Sequence, residues 1–453
     1  MRRLFFDHAL LPDGWAQNVG IDVTGGVIAS IEADARPEGR EHLSGIAIPA
    51  MPNLHSHAFQ RAMAGLTEFS GPSVDSFWSW RALMYARVGA FSPEDCEAVA
   101  AYAFMEMLEG GFSAVAEFHY LHHQPDGQPY ANLAEMAERI AAAASHSGIG
   151  LTLLPVQYQY GGFGKAAPVA GQRRFLNDPE RFLRLVEASR TAIRAVPGAQ
   201  IGIAPHSLRA VSHEGLREVL AATPSGPVHI HVAEQVQEVR DCLAATGQRP
   251  VEWLLHNHEV DPRWCLIHVT QMTASETRAL ARSGAVAGLC PLTEASLGDG
   301  IFDGQRHLAA SGAFGVGSDS NIEISAPSEL KQLEYSQRLR LRARNVMSRA
   351  GASTGRHVWQ QASAGGAQAL GQQMGALRAG ARADIVLLDQ NHPDMICRQG
   401  DAWLDTFVFV AGKSAIRAVL AAGETVVEHG RHVRRPAIEA GWRRALNRLQ
   451  GAV

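Results

Sequence analysis

Cysteine is scarce in this 453-residue chain and poorly placed for structural work: Cys96, Cys242, Cys265, Cys290 and Cys397 are odd in number, far apart and never in CxxC spacing. That pattern excludes a disulfide framework and a thiolate zinc site, so any metal has to be held by histidines and carboxylates. Lysine is rarer still, with only Lys165, Lys331 and Lys413 among 41 basic residues. Charge of one sign is also missing: 41 Lys and Arg face 45 Asp and Glu for a formal −4, which gives no electrostatic case for nucleic acid or a membrane surface. No apolar run is long enough to span a bilayer, and Asp7, His8, Pro12 and Asp13 interrupt the N-terminal segment where a secretory signal would need a continuous apolar stretch. The expectation is a cytoplasmic protein whose partner is a small molecule.

What the chain does have is a globular composition, 46% hydrophobic and 19% charged, and 20 histidines. Its length exceeds one ordinary domain but suits a barrel of roughly 250–300 residues with a smaller accessory domain. From Gly45 onward, short apolar runs alternate with helix-like segments such as 93–110, 133–148 and 178–196, the pattern of repeated βα units and a parallel sheet. The runs end in IAIPAMPNLHSH, SAVAEFHY, LTLLPVQYQY, IGIAPHSLR, VHIHVAE, CLIHVT, AVAGLCPLT and FGVGSDSN, and eight of them predict a closed (β/α)8 TIM-like barrel of α/β class. The flanks carry short alternating runs with Gly turns instead. Residues 1–44 and 376–453 therefore read as the two halves of a small composite β-sandwich domain, ending in a terminal helix, around a hydrolase barrel at 45–375.

The polar clusters fall at the C-terminal ends of these runs, where barrel enzymes place their chemistry. In Leu54-His55-Ser56-His57, period-two alternation puts both imidazoles on one side of a strand end, able to converge on an ion, although two polar residues opening a loop would read the same way. The fifth run adds His231, with Glu234 three residues beyond; His229 shares the face of His231 but sits deeper, which suits a hydrogen-bonded core role. His268 ends the sixth run and by itself reads as a satisfied core histidine, while Asp319, ending the eighth, by itself reads as a turn residue or a helix N-cap.

Taken together, HxH after the first strand, HxxE after the fifth, His after the sixth and Asp after the eighth resemble the amidohydrolase superfamily over nearly the whole chain. The resemblance implies a (β/α)8 barrel with a β-domain built from both chain ends, and it makes a homodimer plausible. Two-metal members bridge their ions with a carboxylated lysine after the fourth strand, but here that end reads Ala204-Pro205-His206-Ser207-Leu208-Arg209. One metal is therefore implied, with His55, His57, His231 and Asp319 as ligands. This set suits one Zn2+ per subunit, although Fe2+ or another divalent ion fits the same ligands. The implied catalytic roles are a proton acceptor and ligand in Asp319, an orienting and stabilising imidazole in His268, and a proton shuttle in Glu234, the deaminase variant of the pattern.

More specifically, His55-Ser-His-Ala-Phe-Gln60-Arg-Ala-Met-Ala-Gly65, Phe77-Trp-Ser-Trp-Arg81 and Ala116-Glu-Phe-His-Tyr120 resemble the N-formimino-L-glutamate deiminase family, which acts in bacterial histidine degradation. The resemblance implies hydrolysis of the formimino group to formyl with release of ammonia, and substrate contacts at Gln60, Arg81, Tyr120, His206 and Arg209. A small acidic substrate agrees with two guanidiniums, which bind carboxylates in bidentate fashion. Two alternatives stay open at this point. A deaminase of purine- or pyrimidine-like rings would share the metal ligands, and a non-catalytic metal-binding scaffold would lack a use for Glu234 and His268.

Overall fold

The structure, a computed structural model, describes residues 1–69 and 75–450; residues 70–74 of the expected barrel segment and 451–453 of the C-terminal segment lie outside the described residues. At the N-terminus β1 (Arg2–Leu11) and β2 (Gly14–Thr24) form a hairpin across the turn Pro12-Asp13, and β3 (Val27–Glu32) continues the meander. β4 (Glu41–Pro49) returns parallel to β1. The buried face of β1 runs through Leu4 and Phe6 and then Ala9, and between Phe6 and His8 the register against β4 shifts, with one residue more on β4 than on β1.

Between β4 and the C-terminal strands lie eight barrel positions: β5 (Met51–Ser56), β6 (Phe112–His119), β7 (Gly150–Gln157), the short β8 (Gln200–Ile201) and β9 (Ala204–Pro205), then β10 (Val228–Val232), β11 (Trp264–His268), β12 (Val286–Leu289) and β13 (Phe314–Val316). The single run expected for the fourth position is thus split in two, though both pieces pair with β7 in one register. The gap falls opposite Pro155, which has no N–H to give to a ladder. Bridges Ile203–Val228 and Ser207–His231 carry the sheet on to β10, and β10 to β13 follow in parallel.

The barrel closes through functional residues. Asp319 N donates to His55 O and His57 N donates to Asp319 O, each at 3.0 Å, beyond the regular end of β13. A Cβ on Gly317 would stand 2.7 Å from both N and O of His55, so only glycine lets the two strands meet at this seam.

After the barrel, β14 (Ile385–Leu388), β15 (Ile416–Ala421), β16 (Glu424–Glu428) and β17 (Arg431–His432) join the N-terminal strands in one eight-stranded mixed sheet, ordered β17-β16-β15-β14-β4-β1-β2-β3. Ile385 and Leu387 face a small core with Leu4, Phe6, Val19 and Ile21, whereas Val386 and Leu388 belong to the barrel core. A strand buried on both faces has to be continuously apolar, as IVLL is. Both chain ends therefore build the accessory layer, as the resemblance implies.

The helices expected between the runs form at Pro93–Glu109, Glu135–Ser147 and Pro179–Ala192, the last continued by a 3-10 turn at Ile193–Ala195. Ser92 with Asp95 and Asp178 with the N–H of Arg181 cap two of them. The terminal helix Arg435–Gln450 lies on Pro93–Glu109 through a stack of Tyr102 on Trp442, with ring centroids 4.4 Å apart, and through the ion pairs Arg435–Glu109 and Arg448–Asp95. A further helix, α1 (Phe77–Val88), covers the mouth of the barrel and contributes the aromatic and basic wall of its pocket.

Candidate active site

At the C-terminal mouth of the barrel, β5 presents His55 and His57, β10 presents His231, and the turn after β13 presents Asp319. The ligand atoms of the three histidines lie within 4.8 Å of one another, and Nε2 of His55 and of His231 face each other at 3.0 Å. Asp319 Oδ1 lies 3.5 Å from His55 Nε2 and 3.4 Å from His57 Nε2. His57 Nδ1 donates to Phe118 O at 2.9 Å and His231 Nδ1 donates to His206 O at 3.0 Å, which fixes the tautomer and leaves each Nε2 lone pair aimed at the common point. Burial pushes His55 down to about 3 and holds His57 and His231 below the usual imidazole range, the state a ligand needs. Burial would raise Asp319, but the imidazoles of His55, His268 and His57 hold it well below the usual carboxylate range. Neutral imidazoles and one ionised carboxylate, converging with the tautomers of His57 and His231 already set, are the donor set of a divalent cation, and these residues fit it.

Beside this cradle stand Glu234 and His268. His268 Nε2 lies 3.8 Å from both Glu234 Oε1 and Asp319 Oδ2, while its Nδ1 meets Glu294 Oε1 at 3.3 Å. Burial alone would lower His268, yet the surrounding carboxylates, Glu234 foremost, raise it; burial in turn raises Glu234. Glu234 is held by its backbone: Glu238 accepts the N–H groups of Ala233 and Glu234, and Thr270 Oγ1 donates to Glu234 O at 2.7 Å. Ala233, His268 and Asp319 all have positive φ (54°, 72° and 46°), a conformation costly for side-chain-bearing residues and characteristic of functional strand ends.

The pocket above the cradle is lined by Gln60, Arg81, Tyr120, His206 and Arg209, so the structure brings every residue of the expected substrate set to one cavity. Gln60 Nε2 donates to Tyr120 OH at 2.9 Å. Arg209 is 8% exposed, has no hydrogen-bond partner at Nε or Nη1 among the described residues, and lies 3.9 Å from Glu234 through Nη2. Arg81 lies over the Trp78 ring at 4.5 Å, and Arg209 lies 5.6 Å from the same ring. His206 is pushed well below its usual value by burial and by Arg209. His229, read as a core residue, donates through Nε2 to Ala369 O at 2.8 Å, outside the cavity. Glu238, Glu294, Tyr85 and Tyr158 escaped the sequence reading. Only the spacing of Glu238, four residues after Glu234, carried a local signal.

A cation cradle beside a buried carboxylate and imidazole, open to a pocket with guanidinium donors unpaired among the described residues, suits the addition of water to a charged small molecule, and on this fold it points to a metal-dependent hydrolase. Comparison with known proteins sharpens this class. Residues 46–426 match the amidohydrolase family, and residues 1–45 match the N-terminal domain of formimidoylglutamate deiminase HutF. The formimidoylglutamate deiminase of Pseudomonas aeruginosa is 51% identical over 95% of this chain and 96% of its own. A crystal structure of an amidohydrolase from Brucella melitensis, 51% identical, superposes with a TM-score of 0.95 over 99% of this chain and 100% of that one. An adenosine deaminase from Xanthomonas campestris with bound zinc, 21% identical, shares the fold at a TM-score of 0.81 over 99% and 98%. The chain belongs to the amidohydrolase family and, within it, to the formimidoylglutamate deiminases.

Proposed function

We propose that this enzyme hydrolyses N-formimino-L-glutamate to N-formyl-L-glutamate and ammonia, with one Zn2+ per chain in the cradle of His55, His57, His231 and Asp319. The observation that carries the reading is Arg209, a buried guanidinium with Nε and Nη1 unpaired among the described residues, 3.9 Å from the proposed shuttle Glu234. Such a cation calls for an anionic ligand at the reacting end of the pocket. A divalent ion supplies water activated near neutral pH when bound.

The rest follows from the side chains. Asp319 accepts a proton from the attacking water at Oδ, as oxygen adds to the formimino carbon. His268, clamped at Nδ1 by Glu294, keeps Nε2 toward the reacting oxygen and steadies its developing charge. Glu234, protonated at the outset, delivers its proton to the formimino nitrogen. It then takes up the hydroxyl proton of the tetrahedral adduct as the formyl C=O forms and passes it to the departing amine, so the C–N bond breaks with ammonia as a neutral leaving group, and the proton held by Asp319 returns to Glu234. Arg209 and Arg81 bind the two carboxylates, while Gln60, Tyr120 and His206 orient the chain between them. On the superfamily resemblance we extend the reading to a homodimer acting in the cytoplasm, the former measurable by sedimentation velocity. An ammonia-release screen decides the substrate: N-formimino-L-glutamate is expected to exceed guanine, cytosine and adenosine by orders of magnitude in kcat/KM. Efficient turnover of a nucleobase would replace this reading with a ring deaminase.

A further inference from the structure

The end of the barrel opposite the active site carries positive charge that the proposed reaction does not use. In the stretch 338–349 the arginines Arg338, Arg340, Arg342, Arg344 and Arg349 stand without one Asp or Glu, in a chain whose net charge is −4. The last turn of helix Ala326–Leu341 occupies two of them: Arg338 pairs with Glu334, and Arg340 donates to Ile301 O at 3.0 Å, both near the negative end of the helix. Arg344 and Arg349 lie beyond it, in the segment leading to helix Thr354–Leu370, and neither guanidinium has an ion-pair or hydrogen-bond partner among the described residues.

These two arginines line a cavity of about 430 Å³, the size of a small-molecule site. Its other polar walls include Asn345, His357, Gln305 and Gln361, and no carboxylate lines it among the described residues. Ser311 and Gly312, also on its wall, come just before β13, so the cavity lies toward the N-terminal end of that strand, whereas Asp319 and the cation cradle lie past its C-terminal end. The walls are fixed. Glu334, fully buried, accepts Val346 N at 3.0 Å and Met347 N at 2.7 Å, which pins the segment carrying both arginines to the preceding helix. Asn345 Oδ1 accepts Arg338 Nη2 at 3.1 Å, so its amide N–H groups are left to donate. His357 has a buried Nε2 with no partner among the described residues, and burial together with Arg349 holds it below the usual imidazole range. The imidazole is therefore neutral near pH 7 and close enough to Arg349 to feel its charge.

One exposed arginine binds an anion weakly, as exposed ion pairs do. Two guanidiniums on a recess with amide donors and no acid differ, because a cleft lined by one sign of charge concentrates the field. A carboxylate fills the fork of a single guanidinium, whereas a phosphate dianion brings three acceptor oxygens and can engage both. Leu308, Ala309 and Val346 give the cavity an apolar side for the remainder of such a molecule.

We propose that this cavity is a second ligand site, separate from the active site, which binds the phosphate group of a small phosphate ester between Arg344 and Arg349. Free inorganic phosphate offers the same dianion, and the apolar side distinguishes the two.

Isothermal titration calorimetry on the full-length, zinc-loaded enzyme tests the site with inorganic phosphate and phenyl phosphate. One ligand per chain is expected, with phenyl phosphate bound about fivefold more tightly, as burial of about 40 Å² of its ring would give. Arg344→Gln and Arg349→Gln should each weaken binding about tenfold while keeping the native Tm without ligand. Arg342→Gln removes the same charge outside the cavity and should change the affinity less than about twofold. Arg209→Met should leave the binding intact. Loss of binding in Arg209→Met with retention in Arg344→Gln and Arg349→Gln would put the anion in the active site and overturn the proposal. Equal weakening in Arg342→Gln would reduce it to diffuse surface charge, and no binding of either probe at millimolar concentration would remove it altogether. Equal affinity for the two probes would overturn the ester and leave inorganic phosphate as the ligand. Because the readout is binding, these outcomes do not depend on which compound the enzyme deaminates.

Discussion

Glu234 and Arg209 stand 3.9 Å apart, yet the proposed chemistry asks different things of them. In the proposed mechanism Glu234 moves protons and binds no metal. Glu234→Gln should therefore retain the metal, by elemental analysis, while kcat falls about a hundredfold to ten-thousandfold, the usual worth of a positioned acid–base group. Near-native turnover would remove the shuttle role. Arg209 binds and does not react, so Arg209→Met should cost about 1.5–3 kcal/mol of transition-state binding, roughly tenfold to a hundredfold in kcat/KM for N-formimino-L-glutamate. A formamidine without the glutamate portion offers that arginine nothing to hold, and its already low kcat/KM should barely change. Equal losses on the two compounds would mean that Arg209 supports the fold, a distinction that a single substrate could not make.

At the level of elements, the site depends on how strands end. The seam between β5 and the turn after β13 is where the barrel closes, and it also places His55, His57 and Asp319 around one point. Gly317→Ala would push a methyl into the backbone of His55, whose N and O both stand 2.7 Å from the new atom. The strands would have to part, at about 1–3 kcal/mol of overpacking, and the three ligands would lose their common focus. The expected result is a lowered Tm together with reduced metal content, although residue 317 touches no substrate. A variant with full metal content and native Tm would show that the seam tolerates the extra carbon. The element scale also shows where sequence reading stopped. The alternation in LHSH and HIH revealed ligands because their geometry is local. The break between β8 and β9 was hidden because it lies opposite Pro155, a residue of the neighbouring strand.

For the whole molecule, metal binding and folding are linked, because the cradle draws on β5, β10 and the end of β13, which meet only in the closed barrel. Elemental analysis should find about one divalent ion per chain; two in stoichiometric amount would contradict the proposed mononuclear centre. Stripping the ion with a chelator should lower Tm reversibly. A ligand present at a thousand times its Kd stabilises by about 4 kcal/mol, roughly 4 °C for a chain of this size, and added zinc should restore the loss. An unchanged Tm on stripping would mean that the three histidines hold no ion in the native protein. The accessory sheet has a different part in this linkage. It shares the barrel's core through Val386 and Leu388 but contributes no residue to the pocket, so it buttresses the barrel rather than shaping its specificity.

Short-range sterics give the sequence its legible part. Periods of two and of about three and a half residues follow from the backbone itself, so the barrel units, the strand-rich ends and the outward-aimed ligands could be read directly from the chain. The absence of lysine after the fourth strand was equally plain. Partnership across the barrel was not, because it depends on closure of the chain over long separations. No local pattern says that Glu294 clamps His268, that the carbonyls of Phe118 and His206 set the tautomers of His57 and His231, or that Gln172 donates to two tyrosine hydroxyls. Those contacts join residues from about 14 to 87 positions apart. The sequence determines which groups stand at the strand ends; only the tertiary structure decides which proton each one holds and what it faces.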